Sequence, residues 1–252
     1  MTQQRYIQAV IFDFDDTLID WSGQTQPYPE IYRFHIESLY AFLSEANHAL
    51  PDYETFFQQY QEVVKQAWDE AKTVWAGVNF SSLLQTLFRN LSLDLTQIDM
   101  QAAMCAFNWQ PVPGVAPFAD THATLQTLKQ QGYKLGLITN SMMPMWMRDI
   151  ELRAYQLLDY FDARLTSGDF GYMKPHPAIY NEALKRLDCT PARAIFVGDR
   201  PANDIVGAKE AGLISVLMSP LHLSRNLNGI QPDYTIETLQ ELLPILASLE
   251  GA

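Results

Sequence analysis

Short apolar runs recur along this chain, with longer amphipathic stretches between them. Residues 7–12 are continuous, apolar and rich in β-formers, residues 133–138 follow a glycine turn, and residues 163–166, 194–197 and 214–217 are shorter runs of the same kind. Runs apolar on both faces suit the buried strands of a parallel sheet. Between them, Ile179, Ala183 and Leu187 repeat at helical spacing, and Ile150, Ala154, Leu157 and Leu158 make one face. Leu239, Leu242, Leu243, Leu246 and Leu249 form a stripe near the C-terminus. The alternation of strand and helix predicts an α/β fold with a doubly wound parallel sheet.

Residues 21–110 break this rhythm and predict helices alone. Tyr32, Ile36, Leu39, Tyr40 and Leu43 share a face, as do Phe56, Tyr60, Val63, Val64, Ala67 and Trp68; Leu83, Leu84, Leu87, Phe88 and Leu91 make a third, and Met100, Met104 and Phe107 a weaker fourth. The stretch PVPGVAP, residues 111–117, closes the block and reads as a hinge. The predicted organisation is therefore an α/β core of residues 1–20 and 111–252, interrupted by an all-helical domain of residues 21–110. That block holds sixteen of the chain's thirty aromatic residues. The reading favoured for them is bundle core, with a minority, Trp21 first, at the mouth of any site. Arg33, Lys65, Lys72 and Arg89 are its candidate cations.

Composition narrows the function. The 252 residues carry a formal net charge of −12, which disfavours nucleic acid or an anionic membrane as partner; an anionic substrate then needs a local cation. Cys105 and Cys189 lack metal-ligand spacing and read as reduced thiols of a cytoplasmic protein. The N-terminal stretch has no basic start or cleavage site, and no apolar run approaches a membrane span.

The ends of the predicted strands carry the chemistry. In open α/β sheets ligands bind beyond the carboxyl ends of the strands. The first run stops at Asp13, Asp15 and Asp16, followed by Thr17; the second ends in Thr139, Asn140 and Ser141; Lys174 stands in GYMKPHP; another strand ends in GDRPAND, with Asp199 and Asp204. Asp13, Asp15, Asp199 and Asp204, brought together, cannot all stay ionised without a cation. A hard divalent ion, Mg²⁺ for preference, relieves that repulsion and still accepts a substrate phosphate. Lys174 and Thr139 then offer a positive charge and a donor to phosphoryl oxygens. A carboxylate held against phosphorus can act as nucleophile, and a second acid can protonate the leaving alcohol and later activate water. Each residue has a plainer reading too: a solvated loop for Asp13 and Asp15, a helix N-cap for Thr139, a turn lysine for Lys174, and a helix N-terminal residue favoured by the macrodipole for Asp204.

With DFDDTL, LITN, KPHP and VGDRPANDIVGAKEAG in this order, the chain resembles the haloacid dehalogenase superfamily of phosphohydrolases. The resemblance implies a Rossmann-like core, and the helical insert is similar to that family's C1 type of cap. It implies that Asp13 is the nucleophile and a metal ligand, and that Asp15 is the general acid and base, with its backbone carbonyl on the metal. Phe14, Thr139, Asn140 and Lys174 would bind the phosphoryl group, Thr139 through its hydroxyl and Asn140 through its backbone amide. Lys174 would also balance charge, and Asp199 and Asp204 would complete the Mg²⁺ site. Asp16 is given no catalytic role, Thr17 is expected to brace the loop by hydrogen bonds, and His176, between two prolines, to be an exposed loop residue. Arg200 replaces the small hydroxyl residue usual in similar sequences, which leaves it to reach a substrate anion or to pair with Asp204.

The function expected from this resemblance is Mg²⁺-dependent hydrolysis of a small phosphorylated metabolite through an aspartyl-phosphate. A haloacid dehalogenase needs the first aspartate but no metal, and normally lacks a counterpart of Asp15. A phosphomutase would use the same residues. A non-catalytic phosphate-binding regulator is disfavoured by the complete set Asp13, Asp15, Thr139, Lys174 and Asp199.

Overall fold

The structure, a computed structural model, describes residues 6–250. Residues 1–5, part of the N-terminal stretch read above, and residues 251–252 lie outside it. Its strands are β1 (Ala9–Phe12), β2 (Ile19–Asp20), β3 (Ala116–Pro117), β4 (Lys134–Thr139), β5 (Ala163–Thr166), β6 (Ala194–Gly198), β7 (Ile214–Met218) and β8 (Tyr234–Ile236). Its α-helices are α1 (Tyr28–Glu45), α2 (Tyr53–Val74), α3 (Phe80–Asn90), α4 (Met100–Ala106), α5 (Thr121–Gln130), α6 (Met145–Ala154), α7 (Ser167–Phe170), α8 (Pro177–Arg186), α9 (Val206–Glu210) and α10 (Leu242–Glu250).

Six strands form one parallel sheet in the order β5-β4-β1-β6-β7-β8. This is the mixed α/β architecture expected from the strand–helix alternation. All four residues of β1 are buried, because the strand is central and covered on both faces. Phe12 is in register with Leu137 of β4 on one side and Val197 of β6 on the other. The chain continues to one side of β1 through β4 and β5 and to the other through β6, β7 and β8, so the sheet reverses direction there. Such a switch point opens a crevice at the carboxyl ends. Asp13, Thr139 and Asp199 emerge into it.

Helices α1 to α4 lie between β2 and β3 in the chain. Side-chain caps start three of them: Asp52 accepts the Thr55 N–H, Asn79 the Ser82 N–H, and Asp99 those of Gln101 and Ala102. Ile36, Leu39, Phe56, Tyr60, Leu84, Leu87 and Phe107 pack into one apolar cluster with Met142, Met143, Met147 and Met173 from the sheet side. Methionine suits such a contact, since its flexible thioether fits irregular surfaces. Backbone bonds join the halves: Phe80 N–H donates to Met142 O (3.2 Å), Gly77 N–H to Gly171 O (2.9 Å) and Met173 N–H to Trp75 O (2.9 Å).

The two connections to the helices run side by side. β2 pairs antiparallel with β3, and Gly23 and Gly114 then meet backbone to backbone. A Cβ on Gly114 would lie 2.1 Å from Gly23 O, and Gly114 has φ +87°. The PVPGVAP segment read as a hinge is therefore half of a tight crossing.

Several expectations are corrected. β8 and the β2–β3 ribbon were not read from the sequence, because two or three residues carry too little periodicity to register. The face predicted for α6 is out of phase: Ile150 is 38% exposed and Ala154 is exposed, while Met147, Arg148, Glu151 and Leu152 are buried. The charged pair at the buried positions disguised the face. His176 is a half-buried N-cap whose Nδ1 accepts the Ala178 N–H (3.2 Å), with its ring stacked on Tyr172 at 4.2 Å. Thr17 is fully buried, but its hydroxyl has no hydrogen-bond partner among the described residues. The loop is held instead by backbone bonds from Leu18 and Ile19 N–H to Phe14 O.

Candidate active site

The predicted residues converge. Asp13 follows β1 directly, and its N–H donates to Val197 O (2.8 Å), which extends the β1–β6 ladder by one residue and fixes the direction of its side chain. Asp199 follows β6. Asp204 sits in the turn of π-helix that precedes α9, and its carboxylate folds back over Gly198. A Cβ on Gly198 would lie 2.4 Å from Asp204 Cγ, so only glycine admits that approach. Ligand oxygens of Asp13, Asp199 and Asp204 all lie within 4.8 Å of one another, and all three residues are buried.

Lys174 binds two members of this triad, with Nζ 2.7 Å from Asp13 Oδ1 and 2.8 Å from Asp204 Oδ1. Burial alone would lower its ammonium, but Asp13 and Asp204 outweigh that and hold it above its ordinary value. The Asn140 side chain fixes the lysine loop, with Oδ1 accepting the Lys174 N–H (2.8 Å) and Nδ2 donating to Lys174 O (2.9 Å). Asn203 Nδ2 donates to the same carbonyl at 3.2 Å. The amide side chain of Asn140, not only its backbone, therefore matters to the site.

One cation does not balance the triad. Burial, with Asp204 and Asp13 nearby, pushes Asp199 up to about 8. Burial also pushes Asp13 up to about 6, although Lys174 opposes it. Asp199 Oδ1 is buried without a hydrogen-bond partner among the described residues. Three crowded carboxylates with an orphaned oxygen are the donor set of a hard divalent cation, and Asp13, Asp199 and Asp204 fit such an ion. The carboxylate of Asp15 lies outside this triad.

Asp15 belongs to a second network that sequence reasoning missed. Arg148 Nη2 donates to its Oδ1 and Oδ2 at 2.9 and 2.8 Å, and Arg148 Nη1 lies 2.8 Å from Glu151 Oε2. Trp109 Nε1 donates to that same Glu151 oxygen at 2.9 Å, and Trp21 Nε1 to Asp15 Oδ1 at 3.0 Å. An indole from each connection to the helical block thus reaches this network. Asp15 and Glu151 outweigh burial and hold Arg148 above its ordinary value, whereas burial lifts Glu151 to about 7. The only signal in the sequence was a charged pair at i, i+3 within an otherwise apolar phase of α6.

The other candidates are also placed. Thr139 Oγ1 is 3.4 Å from Asp15 Oδ2, on the same crevice. Phe14 is fully buried beneath the Arg148 guanidinium, 4.6 Å from its ring, which leaves only the Phe14 backbone for an anion. Asp16, at φ +57°, holds Arg225 at 2.8 Å, and Arg225 also reaches Asp199. Arg200 touches Asp204 through its backbone N–H (2.8 Å) rather than its guanidinium. Lys65, paired with Asp69, and Lys72 line the cavity above the site; Arg33 pairs with Glu30 and Glu54 and Arg89 bonds Gln85.

A family model for haloacid dehalogenase-like hydrolases matches residues 7–212, which span every one of these residues except Arg225. The chain belongs to that family. A glyceraldehyde 3-phosphate phosphatase of Pyrococcus furiosus is 30% identical over 252 residues, covering 98% of this chain and 96% of its own. One of Methanopyrus kandleri is 31% identical, covering 96% of this chain and 98% of its own. Among solved structures, a 2-haloacid dehalogenase from Pseudomonas syringae superposes with a TM-score of 0.68 at 26% identity, covering 96% of this chain and 99% of that one. A haloacid dehalogenase-type phosphatase from Thermococcus onnurineus gives 0.62 at 26%, covering 95% and 98%. Relatives named phosphatases support the phosphatase expectation for this haloacid dehalogenase-like hydrolase.

Proposed function

We propose that this chain is a Mg²⁺-dependent phosphatase that hydrolyses a small phosphomonoester through an aspartyl-phosphate on Asp13. The observation that carries the reading is Lys174 bound to both Asp13 and Asp204 at the switch point of the sheet. The lysine offsets the charge that would otherwise repel a phosphoryl group from a buried carboxylate. Asp13 attacks phosphorus, and the P–O bond to the alcohol breaks. Asp15 delivers a proton to the leaving oxygen, then takes one from the water that hydrolyses the aspartyl-phosphate. Arg148 and Trp21 orient its carboxylate for both steps. Thr139 and backbone amides of the first loop and of Asn140 hold phosphoryl oxygens. Asp13, Asp199 and Asp204 would hold the metal, with the Asp15 carbonyl beside them; when bound, the ion neutralises charge on the phosphoryl oxygens. The helices α1 to α4 act as a cap that excludes bulk water. A cytoplasmic setting with a small phosphorylated metabolite as partner belongs to the same reading, and among the described residues no helix is long and apolar enough to cross a membrane.

The similarity to a solved 2-haloacid dehalogenase raises dehalogenation as a second reading. Asp15 argues against it, since halide needs no proton on leaving. Phosphate release from p-nitrophenyl phosphate tests the choice. Turnover is expected to need Mg²⁺ and to vanish in Asp13→Asn; metal-independent turnover surviving in that variant would sink the proposal. A mutase would instead yield isomerised sugar phosphate without free phosphate.

A further inference from the structure

The cavity over the carboxylates is far larger than a phosphoryl group with a short alcohol requires. Its volume is about 890 Å³, toward the upper end of sites for ligands of drug size. One long wall is a single face of α2. Gln61, Val64, Lys65, Trp68 and Lys72 recur there at helical spacing, and Trp75 at the C-cap completes the wall.

Two residues of this wall differ from the aromatics packed at the other side of the cavity. Tyr32, Phe107 and Trp109 pack ring against ring, with centroids 5.9 to 6.5 Å apart. Trp68 and Trp75 have no ring or cation partner among the described residues, and neither indole N–H has an acceptor there. Trp68 is half-buried and Trp75 is 39% exposed, and both face the cavity. Trp68 packs one side on the apolar cluster of the block, but its cavity side and the Trp75 ring lack a stacking partner, and a flat π-system would supply one.

The placement of Trp75 points the same way. It is the C-cap of α2, at φ +55° in the left-handed conformation in which helices commonly end. Its position is fixed by the sheet side: Trp75 O accepts the Met173 N–H, and Ala76 bridges to Tyr172. Met173 precedes Lys174, so Trp75 stands at the phosphate end of the cavity. Trp68 lies about 10 Å further along α2 by helix rise. Lys72, between them, has no carboxylate partner among the described residues.

We infer that the substrate is a phosphomonoester whose leaving group carries a planar aromatic ring system, of nucleoside or flavin size. The ring covers Trp68 and Trp75 and turns a polar or anionic edge to Lys72. A triose phosphate has no group for this wall. The inference rests on the phosphatase reading and names its substrate class.

The test compares adenosine 5′-monophosphate and flavin mononucleotide with glyceraldehyde 3-phosphate and glycerol 3-phosphate on the whole chain. At least one aromatic ester is expected to show kcat/KM tenfold or more above both aliphatic ones, the scale of a base stacked on an aromatic side chain. Trp75→Leu and Trp68→Leu are each expected to cut that ratio several-fold; Trp75, being more exposed, is the variant less exposed to misfolding. A ratio below tenfold in the wild type, or one unchanged in both variants, overturns the inference and leaves the phosphatase reading standing. Hydrolysis of none of the four would sink the phosphatase reading for these esters. Calorimetric titration of Asp13→Asn with the same four then decides the wall. A tenfold tighter Kd for either aromatic ester supports it, and equal or absent binding overturns it.

Discussion

Arg148 Nη2 lies 2.9 and 2.8 Å from the two carboxylate oxygens of Asp15, and the arginine that makes this contact is 4% exposed. The pair joins α6 to the loop after β1. The i, i+3 partner Glu151 and the Trp109 indole complete it from the other side. A buried charge is tolerated only with partners that match it, so these four residues act as one unit.

Arg148→Met is expected to lower stability by about 3 kcal/mol, because it leaves the buried Glu151 without its cation. Urea unfolding midpoints measure the loss. The double variant Arg148→Met with Glu151→Gln should lose less than the sum of the two single variants, since each single change strands a partner. Additive losses would show that the two residues do not share one network.

Lys174→Met removes the cation between Asp13 and Asp204. A fall in kcat of about 10² or more is expected, the scale for losing one preorganised group that meets transition-state charge. Phosphate release at saturating substrate gives the number, and circular dichroism at the same concentration shows whether the variant is folded.

Arg225 reaches Asp199 and Asp16 from the segment after β7. It brings a positive charge to a carboxylate that would hold a divalent ion, so Arg225→Ala is expected to tighten Mg²⁺ binding by about tenfold, a modest charge–charge effect at partial exposure. Calorimetry of Mg²⁺ binding checks this without turnover. Weaker binding would mean that Arg225 holds Asp199 in its ligating position.

His35 is buried against Phe107 and Trp109, with Nδ1 at 3.1 and 3.0 Å from the Phe107 and Asn108 carbonyls. Burial lowers its imidazole from the usual 6.5, more than those carbonyls raise it. The unfolded chain then binds the proton more readily. The stability contributed by neutral His35 is present above pH 6.5 and is lost as pH falls through the lowered value. Melting temperatures between pH 8 and 5 should decline less steeply in His35→Gln than in the parent chain.

Most of the fold and the strongest part of the site were legible in the sequence for a definite reason. Buried parallel strands such as β1 and β6 read as unbroken apolar runs; Asp13 and Asp199 follow their strands directly and Thr139 closes β4, so locating a strand also locates the residue at its carboxyl end. The resemblance assigns Asn140 a role for its backbone, yet its side chain bonds the Lys174 loop thirty-four residues away. Arg148 carries no signal of its own in the sequence, because a buried cation looks like a surface residue until its partners are known. The face of α6 was misassigned for the same reason, since Arg148 and Glu151 occupy apolar positions only by neutralising each other and Asp15.

The sequence by itself determined the parallel α/β core, the helical interruption and the residues at the strand ends, because apolar periodicity and strand termini are local properties. Tertiary structure alone decided which charges meet. It brought Lys174 between Asp13 and Asp204, divided the acidic cluster into a triad and a separate Asp15 network, and carried Arg225 to Asp199. It also turned Trp68 and Trp75 to the cavity while Tyr32, Phe107 and Trp109 packed ring against ring. Ion pairing and ring contact depend on distances across the fold, and hydrophobic periodicity contains no record of them.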